Sequence, residues 1–259
     1  MRPRKPKLGQ HFLADTRVRQ RIVEALRLTR EHTVIEIGAG AGAMTGLLAE
    51  RAGRVVAVEL DAKLAAGLRE KFASDPRVEV VEGDILRVPL DYPGVKVFGN
   101  LPYYITSPIL LRLFEQAHQF EDLVVMVQKE VAERLAAAPG SRDYGLLTVT
   151  ARFYTQPKLL FTVPPGAFRP PPKVDSALVR LRPERKQVPG GDERGFFRLA
   201  RASFARKRKT LVNNLKGLYP AGRLMAAMEQ AGIPARARAE EVPLEQFFAL
   251  YSALSTLAC

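Results

Sequence analysis

Short apolar runs that end in glycine or a polar residue alternate along the chain with stretches in which apolar residues recur at helical spacing. The runs predict strands at 33–37, 54–59, 78–81, 95–99, 122–128, 158–163 and 176–181. The helical spacing predicts helices near 43–52, 107–116, 131–137 and 144–154. This alternation is typical of an α/β fold with a doubly wound sheet, and the last two strands predict an antiparallel hairpin at its edge.

The pattern changes after Arg182. Residues 183–192 are polar and rich in proline and glycine, which is typical of a linker. The remaining pattern is helical only, at 193–204, 207–217, 222–231 and 244–257. We therefore predict two domains, an α/β domain over residues 1–182 and a small all-helical domain over residues 183–259.

A glycine loop and several carboxylates follow the predicted strands. The loop Gly38-Ala39-Gly40-Ala41-Gly42 opens a helix, where free backbone N–H groups favour an anionic ligand, although such a loop can also serve only packing. Glu59 ends the next strand about twenty residues further on, where a carboxylate can hold the hydroxyls of a ribose. Asp84 follows the third strand, within reach of an adenine amino group, and Asn100 follows the fourth. Since ligands of open α/β sheets bind at the carboxyl ends of the strands, we expect these groups to converge.

The tetrapeptide Asn100-Leu101-Pro102-Tyr103 carries groups suited to an aromatic amine. The amino nitrogen of adenine is a poor nucleophile, and two acceptors can hold its hydrogens so that the lone pair is freed. The Asn100 side-chain oxygen is one acceptor, and the Leu101 carbonyl, held extended before proline, is the other. Tyr103 offers a stacking face to an extruded base. The alternative, a plain turn, is disfavoured by the glycine loop and carboxylates at the same sheet edge.

Further motifs extend along nearly the whole chain: Gly9-Gln10-His11-Phe12-Leu13, Glu36-Ile37-Gly38-Ala39-Gly40-Ala41-Gly42, Gly83-Asp84, Gln128-Lys129-Glu130-Val131 and Phe168-Arg169-Pro170-Pro171-Pro172-Lys173-Val174-Asp175-Ser176. Together with the tetrapeptide they resemble the class I S-adenosylmethionine-dependent methyltransferases and, more narrowly, the ribosomal RNA adenine dimethylase family. The resemblance is closest to members that dimethylate two adjacent adenosines of bacterial small-subunit rRNA, whose loss is linked to kasugamycin resistance. Ala39 stands where proline is usual and His11 where asparagine is common, which affects fine positioning rather than the chemistry.

The resemblance implies a Rossmann-like sheet and S-adenosylmethionine as the cofactor. It implies cofactor contacts by His11, Leu13, Gly38, Gly40, Glu59, Asp84 and Asn100, and catalysis by Asn100, Leu101, Pro102 and Tyr103. Phe168 lies on a proline-rich loop and is expected to stack on the target base opposite Tyr103, with the anchoring of a stiff loop as the alternative.

The formal net charge of +13 and the pI of about 10.1 favour a polyanionic partner, and nucleic acid is the leading candidate. The cluster Arg206-Lys207-Arg208-Lys209, with Arg201 nearby, is predicted at the start of a helix. Cations there oppose the helix dipole, which adds weight to a contact with phosphate, with a solvated basic face as the alternative. Arg2, Arg4, Lys5 and Lys7 predict a flexible N-terminal arm that binding of either ligand could order, with plain disorder as the alternative.

Other classes of site are disfavoured. The one cysteine, Cys259, provides neither a disulfide framework nor a thiolate metal site, and the three histidines are scattered, so we expect no metal. No apolar run reaches membrane-spanning length, and the basic N-terminal residues are followed by no apolar segment. We expect a cytoplasmic monomer that does not contact a membrane.

These features predict an enzyme that transfers methyl groups from S-adenosylmethionine to N6 of two adjacent adenosines near the 3′ end of 16S rRNA during small-subunit biogenesis. One alternative is a large-subunit rRNA adenine methyltransferase that confers macrolide resistance, which the identity of the modified rRNA would distinguish. The other is a non-catalytic ribosome-assembly or nucleic-acid-binding factor, which a methyl-transfer assay would distinguish.

Overall fold

A computed structural model describes residues 11–256, so the basic N-terminal arm, Gly9, Gln10 and Cys259 lie outside the described residues. The chain forms two compact units. The first comprises the described residues up to Ala132 together with Thr155–Glu184, and the second comprises Glu133–Tyr154 together with the described residues from Arg185 onward.

A seven-stranded sheet forms the centre of the first unit. Its strands are β2 (Thr33–Ile37), β3 (Arg54–Glu59), β4 (Val78–Glu82), β5 (Val95–Asn100), β6 (Phe120–Gln128), β7 (Thr155–Val163) and β9 (Ser176–Pro183). They lie in the order β4-β3-β2-β5-β6-β9-β7. The first five are parallel, whereas β9 is antiparallel to both β6 and β7, as the sequence predicted for the edge hairpin. A separate two-stranded sheet pairs β1 (Phe12–Leu13) with β8 (Phe168–Arg169).

The strand order determines where a ligand can bind. β2 lies between β3 and β5. After β2 the chain forms β3 and β4 on one side of it, and it crosses to the other side only with β5. Ile37, at the end of β2, is in register with Val58 on one side and Gly99 on the other. Such a switch point opens a crevice outside the carboxyl ends of the strands. The glycine loop after β2 and Asn100 at the end of β5 border this crevice.

Five helices connect the strands of the first unit: α1 (Thr16–Leu26), α2 (Ala43–Ala49), α3 (Ala62–Lys71), α4 (Thr106–Glu115) and α5 (Lys129–Ala136), whose last residues belong to the second unit. α1 and α3 were not among the predicted helices. Each begins after an aspartate, because Asp15 accepts the Val18 N–H at 3.0 Å and Asp61 accepts the Leu64 N–H at 3.2 Å.

The core lies on both faces of the sheet. Val97 and Phe98 of β5 are both almost fully buried, although consecutive residues of a strand point to opposite faces. Strands that are covered on both faces read as continuous apolar runs, which is why the sequence located them well. Phe98 packs in one cluster with Ile22 and Leu26 of α1 and Leu48 of α2.

Apart from the end of α5, the second unit contains α6 (Leu146–Tyr154), α7 (Glu193–Ser203), α8 (Leu211–Leu215), α9 (Ala221–Gln230) and α10 (Leu244–Thr256). The predicted boundary placed residues 133–154 in the first domain, but their contacts place them in this unit. The Tyr144 hydroxyl donates to the Val242 carbonyl at 2.9 Å, and the Phe153 ring stacks on Phe196 at 5.7 Å. These partners are distant in the sequence, so no local pattern indicated the grouping. None of the helices in residues 11–256 is both long and apolar enough to cross a membrane.

Candidate active site

The loop between β2 and α2 is shaped by its glycines. Gly38, Gly40 and Gly42 have φ values of 74°, 58° and 74°, in the left-handed region that glycine adopts without strain. Neighbouring side chains also approach closely, because a Cβ at Gly40 would lie 3.0 Å from the Phe12 ring and one at Gly42 would lie 2.7 Å from Leu68. The loop therefore brings bare backbone to the N-terminus of α2, as its sequence predicted.

Glu59, at the end of β3, holds this loop. Its side chain is 4% exposed, and Oε2 accepts the Gly40 N–H at 2.7 Å while Oε1 accepts the Asp61 N–H at 2.9 Å. A carboxylate has about four acceptor positions. Glu59 can therefore fix the loop and still accept hydrogen bonds from two hydroxyl groups.

Lys71 is a positioning residue that the sequence analysis missed. Its Nζ donates to the Ala41 and Gly42 carbonyls, each at 3.1 Å, and so ties the last turn of α3 to the glycine loop. Lys71 ends α3, a helix that the apolar pattern did not predict, so no sequence signal pointed to this role.

A cleft opens at the carboxyl edge of the sheet, beside the glycine loop. It brings together most of the predicted site residues: His11, Gly38, Gly40, Glu59, Asp84, Asn100, Leu101, Pro102 and Tyr103. The residues that line it but were not predicted include Phe12, Leu60, Ile85 and Tyr104. The convergence expected from the parallel strand ends is therefore present.

The Asn100 amide is oriented by the N-terminal strand segment. Its Nδ2 donates to the His11 carbonyl at 3.1 Å. Because the amide nitrogen is held there, the side-chain oxygen is the atom left to accept a hydrogen bond from a ligand. The sequence indicated the amide but not the partner that orients it, which lies 89 positions away in the chain.

The rest of the tetrapeptide presents a second acceptor. The Pro102 carbonyl is already engaged, since it accepts the Ile105 N–H at 3.1 Å and the Thr106 hydroxyl at 2.9 Å. Leu101 is held by a buried side chain and by its N–H, which donates to the Met126 carbonyl at 3.0 Å. Beside the Asn100 oxygen, the Leu101 carbonyl is thus the acceptor available for a substrate amine.

Tyr103 is fixed on the adjacent turn. Its hydroxyl lies 2.6 Å from the Oγ of Ser176, which is fully buried. Burial raises the pKa of Tyr103, so the phenol stays neutral. The His11 ring lies 5.7 Å from the Tyr103 ring, and its Nδ1 is 2.8 Å from the Pro170 carbonyl. The orientation of the Tyr103 ring is therefore set by Ser176 and by His11, of which His11 also lines the cleft.

Two predicted residues do not present their side chains to the cleft. Leu13 and Phe168 pair between β1 and β8, are 5% and 1% exposed, and pack in the apolar core cluster. The expectation that Phe168 stacks on the target base is therefore corrected: its ring anchors the proline-rich loop, which was the alternative interpretation. The sequence revealed an aromatic residue on a stiff loop but not which side of that loop faces the core.

Glu36 lies in β2, shortly before the glycine loop in the chain, and is 2% exposed. The Thr45 hydroxyl donates to its Oε2 at 2.6 Å. Burial raises the pKa of Glu36 to about 8, and the hydrogen bond from Thr45 opposes this increase only in part. Glu36 is therefore mostly protonated at neutral pH, unlike an exposed glutamate.

Glu36→Gln is expected to change how stability depends on pH. A raised pKa stabilises the folded state fully below the unfolded-state value of 4.5, and this contribution is lost as the pH rises to about 8. Glutamine cannot ionise, so Glu36→Gln does not lose this contribution. As the pH rises from 4.5 to about 8, the free energy of unfolding of the variant should therefore increase relative to that of the wild type by up to about 1.4 kcal/mol per pH unit. Urea unfolding at a series of pH values measures the difference. Glu82→Gln, at an exposed carboxylate of β4, is the control, and parallel curves for wild type and Glu36→Gln would contradict the prediction.

In the second unit, the basic cluster Arg206–Lys209 is exposed. It was predicted at the start of a helix, but the structure places it in the turn before α8. The helix begins only at Leu211, after the N-cap residue Thr210. Arg208 has φ 66°, which is compatible with a turn and not with a continuous helix.

No group of three or more His, Cys, Asp or Glu side chains within residues 11–256 is arranged to hold a metal ion.

Comparison with known proteins places these features in one family. A family model described as ribosomal RNA adenine dimethylase matches residues 1–256. The ribosomal RNA small subunit methyltransferase A of Acidobacterium capsulatum is 51% identical over 96% of this chain and 91% of its own length. The protein of that name from Koribacter versatilis is 46% identical over 97% of this chain and 94% of its own length.

Two solved structures share the fold over nearly all of the chain. The 23S rRNA methyltransferase ErmE superposes with a TM-score of 0.75 at 32% identity, covering 94% of this chain and 99% of its own. A dimethyladenosine transferase from Plasmodium falciparum superposes with a TM-score of 0.81 at 25% identity, covering 93% of this chain and 96% of its own.

Proposed function

The chain belongs to the ribosomal RNA adenine dimethylase family, and on that premise we propose that it transfers methyl groups from S-adenosylmethionine to N6 of two adjacent adenosines near the 3′ end of 16S rRNA. The observation that carries the proposal is the Asn100 amide, whose nitrogen donates to the His11 carbonyl, so that its oxygen remains as an acceptor in a cleft that Leu101 also lines. The relatives named for the small subunit are 51% and 46% identical to this chain, whereas ErmE, a large-subunit enzyme by its name, is 32% identical. This ranking supports the small-subunit enzyme over the large-subunit alternative.

The residues that line the cleft fit S-adenosylmethionine. Glu59 has acceptor positions left for the ribose hydroxyls, and Asp84, which accepts the Leu86 N–H at 2.9 Å through Oδ1, has a second carboxylate oxygen for the adenine amino group. Gly38 and Gly40 allow close approach to backbone at the end of β2. When bound, the cofactor supplies a methyl group activated by its positively charged sulfur.

The protein's own task is to prepare the nitrogen. The Asn100 oxygen and the Leu101 carbonyl accept hydrogen bonds from the target amine and favour a pyramidal nitrogen with its lone pair free. Tyr103 supplies the face on which the extruded base stacks. These residues would hold the amine nitrogen roughly 3 Å from the methyl carbon of a bound cofactor, and this proximity would account for much of the acceleration.

The second methyl transfer uses the same groups. After the first transfer one N–H remains, so the two acceptors must guide the amine without clamping both of its hydrogens. Stacking on Tyr103 keeps the base in place while the monomethylated nitrogen is presented again. The product is N6,N6-dimethyladenosine, formed through monomethyl intermediates. A cytoplasmic site of action, on the small subunit or its precursor, is part of the same proposal.

A time course with labelled cofactor and methylation-deficient ribosomal subunits tests this function. Mass spectrometry of the digested rRNA should show monomethyladenosine rising and then falling as dimethyladenosine accumulates at two adjacent small-subunit positions. Monomethyladenosine as the sole end product, or modification confined to large-subunit RNA, would contradict the proposal. RNA binding without any methyl transfer would instead support the assembly-factor alternative.

We also propose that the exposed turn residues Lys207, Arg208 and Lys209 contact rRNA phosphates. Arg206 is partly committed within the unit, since its guanidinium donates to the Asn213 carbonyl at 3.1 Å. Arg201, in the last turn of α7, is also exposed and adds positive charge close to the turn in sequence. Flexible exposed cations of this kind bind phosphate and release counterions.

Reversing Lys207, Arg208 and Lys209 to glutamate should weaken RNA binding and flatten its dependence on salt. Each lost phosphate contact lowers the slope of log K against log salt by about 0.7 to 0.9. Filter binding at several salt concentrations measures the slope, and calorimetry should show unchanged cofactor affinity. Reversal of Arg17, Arg51 and Lys63, exposed bases of the first unit, removes the same charge and is the control. An equal change of slope in both variants would mean that net charge, and not this turn, determines binding.

A further inference from the structure

Three large apolar side chains remain exposed at the cleft. Phe12, Leu60 and Tyr104 all line it and are 38%, 50% and 60% exposed. Apolar surface that is left open in a concave site is usually covered by a ligand. Of the three, Tyr104 is the most exposed and offers a flat aromatic face.

Tyr103 and Tyr104 are consecutive but have different surroundings. Both lie on the one-turn 3-10 helix Tyr103–Ile105, which is closed by the Ile105 N–H bonded to the Pro102 carbonyl at 3.1 Å. The Tyr103 hydroxyl is tied to buried Ser176, whereas the Tyr104 ring projects at the open cleft. The turn therefore presents two aromatic rings from one rigid support.

Tyr104 lines the cleft together with two carboxylates, Asp84 and Glu59. Partial burial and then the charges of Asp84 and Glu59 raise the pKa of the Tyr104 phenol, so its hydroxyl lies in the field of both carboxylates. These are the carboxylates assigned above to the adenine amino group and the ribose hydroxyls. Tyr104 thus borders the same cleft as the two carboxylates that are proposed to hold the adenosine part of the cofactor.

We propose that Tyr104 covers the adenine ring of the bound cofactor and is a determinant of cofactor affinity. This inference rests on the proposed function. It adds a contact on the flat face of the adenine, whereas Asp84 is proposed to bind its amino group and Glu59 the ribose hydroxyls. An aromatic ring over a purine contributes through stacking, which tolerates small differences in position.

An RNA base is the other possible occupant of the Tyr104 face, and the surroundings disfavour it. A nucleotide that stacks there would bring its phosphate into the field of Asp84 and Glu59, both negatively charged, and like charges repel. The adenosine part of the cofactor carries no phosphate. Tyr104 is therefore better matched to the cofactor than to the RNA.

The absence of tryptophan from the sequence permits a direct test. Tyr104→Trp creates a protein with a single tryptophan, and titration with S-adenosylhomocysteine should change its emission as the adenine covers the indole. Tyr92→Trp, at a partly buried position that does not line the cleft, is the matched control and should show no change.

Affinity measurements complete the test. By calorimetry, Tyr104→Ala should bind S-adenosylhomocysteine about tenfold or more weakly, whereas Tyr104→Phe should keep the wild-type affinity because the ring remains. Adenosine alone should lose affinity for Tyr104→Ala by a similar factor, since the contact is with the base. Cofactor-free RNA binding should be unchanged.

The outcomes separate this inference from the function on which it rests. Wild-type affinity of Tyr104→Ala for S-adenosylhomocysteine would overturn the role of Tyr104 alone, and a weakened RNA complex in the same variant would assign the ring to RNA. Equal loss in the Phe and Ala variants would also overturn it, because stacking would not be the cause. A wild-type protein that binds no S-adenosylhomocysteine would overturn the proposed function together with this inference.

Discussion

Asn100→Ala is expected to reduce single-turnover methyl transfer at saturating cofactor by about 10²-fold or more, the effect of removing one preorganised hydrogen-bonding group from a transition state. The variant loses the oxygen that accepts a hydrogen bond from the target amine, while the Leu101 carbonyl remains. Because the lost contact strengthens as the nitrogen becomes pyramidal, the rate should fall more than the affinity for RNA. Rapid-quench measurement of methyl incorporation tests this.

Two further variants show why Asn100 matters. Asn100→Asp keeps an acceptor but lacks the N–H that donates to the His11 carbonyl. A rate between those of wild type and Asn100→Ala would show that the acceptor oxygen and its orientation by His11 contribute separately. Gln156→Ala removes an exposed amide outside the cleft and should transfer methyl groups at the wild-type rate. A near wild-type rate for folded Asn100→Ala would refute the mechanism.

Glu59→Ala is expected to weaken cofactor binding by about 1.5–3 kcal/mol, or about 10- to 150-fold in Kd, because hydrogen bonds to a charged acceptor are lost. The structure adds a second reason for the loss. Glu59 also accepts the Gly40 N–H at 2.7 Å, so its removal releases the glycine loop that lines the cleft. Calorimetry with S-adenosylhomocysteine measures the change in Kd.

A cofactor analogue can distinguish these two contributions. If Glu59 holds the ribose, the wild type should prefer S-adenosylhomocysteine to its 2′-deoxy analogue, and Glu59→Ala should lose most of that preference. If the preference persists in the variant, Glu59 holds the glycine loop but does not bind the ribose. Glu82→Ala, on the neighbouring strand and outside the cleft, is the control, and unchanged affinity of folded Glu59→Ala would remove this residue from the site.

Much of the site was predictable because the carboxyl ends of parallel strands share one edge of a sheet. The glycine loop, Glu59, Asp84 and Asn100 each follow a strand that the apolar pattern located, and all four line the same cleft. Their convergence did not depend on precise helix bounds. This explains why these four groups could be located although α1 and α3 were missed, whereas Lys71 at the end of α3 was missed with its helix.

Other predictions failed where the direction of a side chain or a distant partner mattered. Phe168 was expected to face a base, but pairing of β8 with β1 turns its ring into the core. The basic cluster was placed on a helix, whereas Thr210 caps α8 only after it. Residues 133–154 belong with the C-terminal helices because Tyr144 and Phe153 find their partners there.

The sequence by itself determined the fold class, the family and the chemical groups of the cleft, because strand periodicity and short motifs are local properties of the chain. Only the tertiary structure decided that His11 orients the Asn100 amide, that Lys71 holds the glycine loop and that Tyr104 lines the cleft beside the predicted residues. Each of these depends on the direction of a side chain toward residues that lie far away in the sequence. Such directions are set by packing of the folded chain, and no local pattern encodes them.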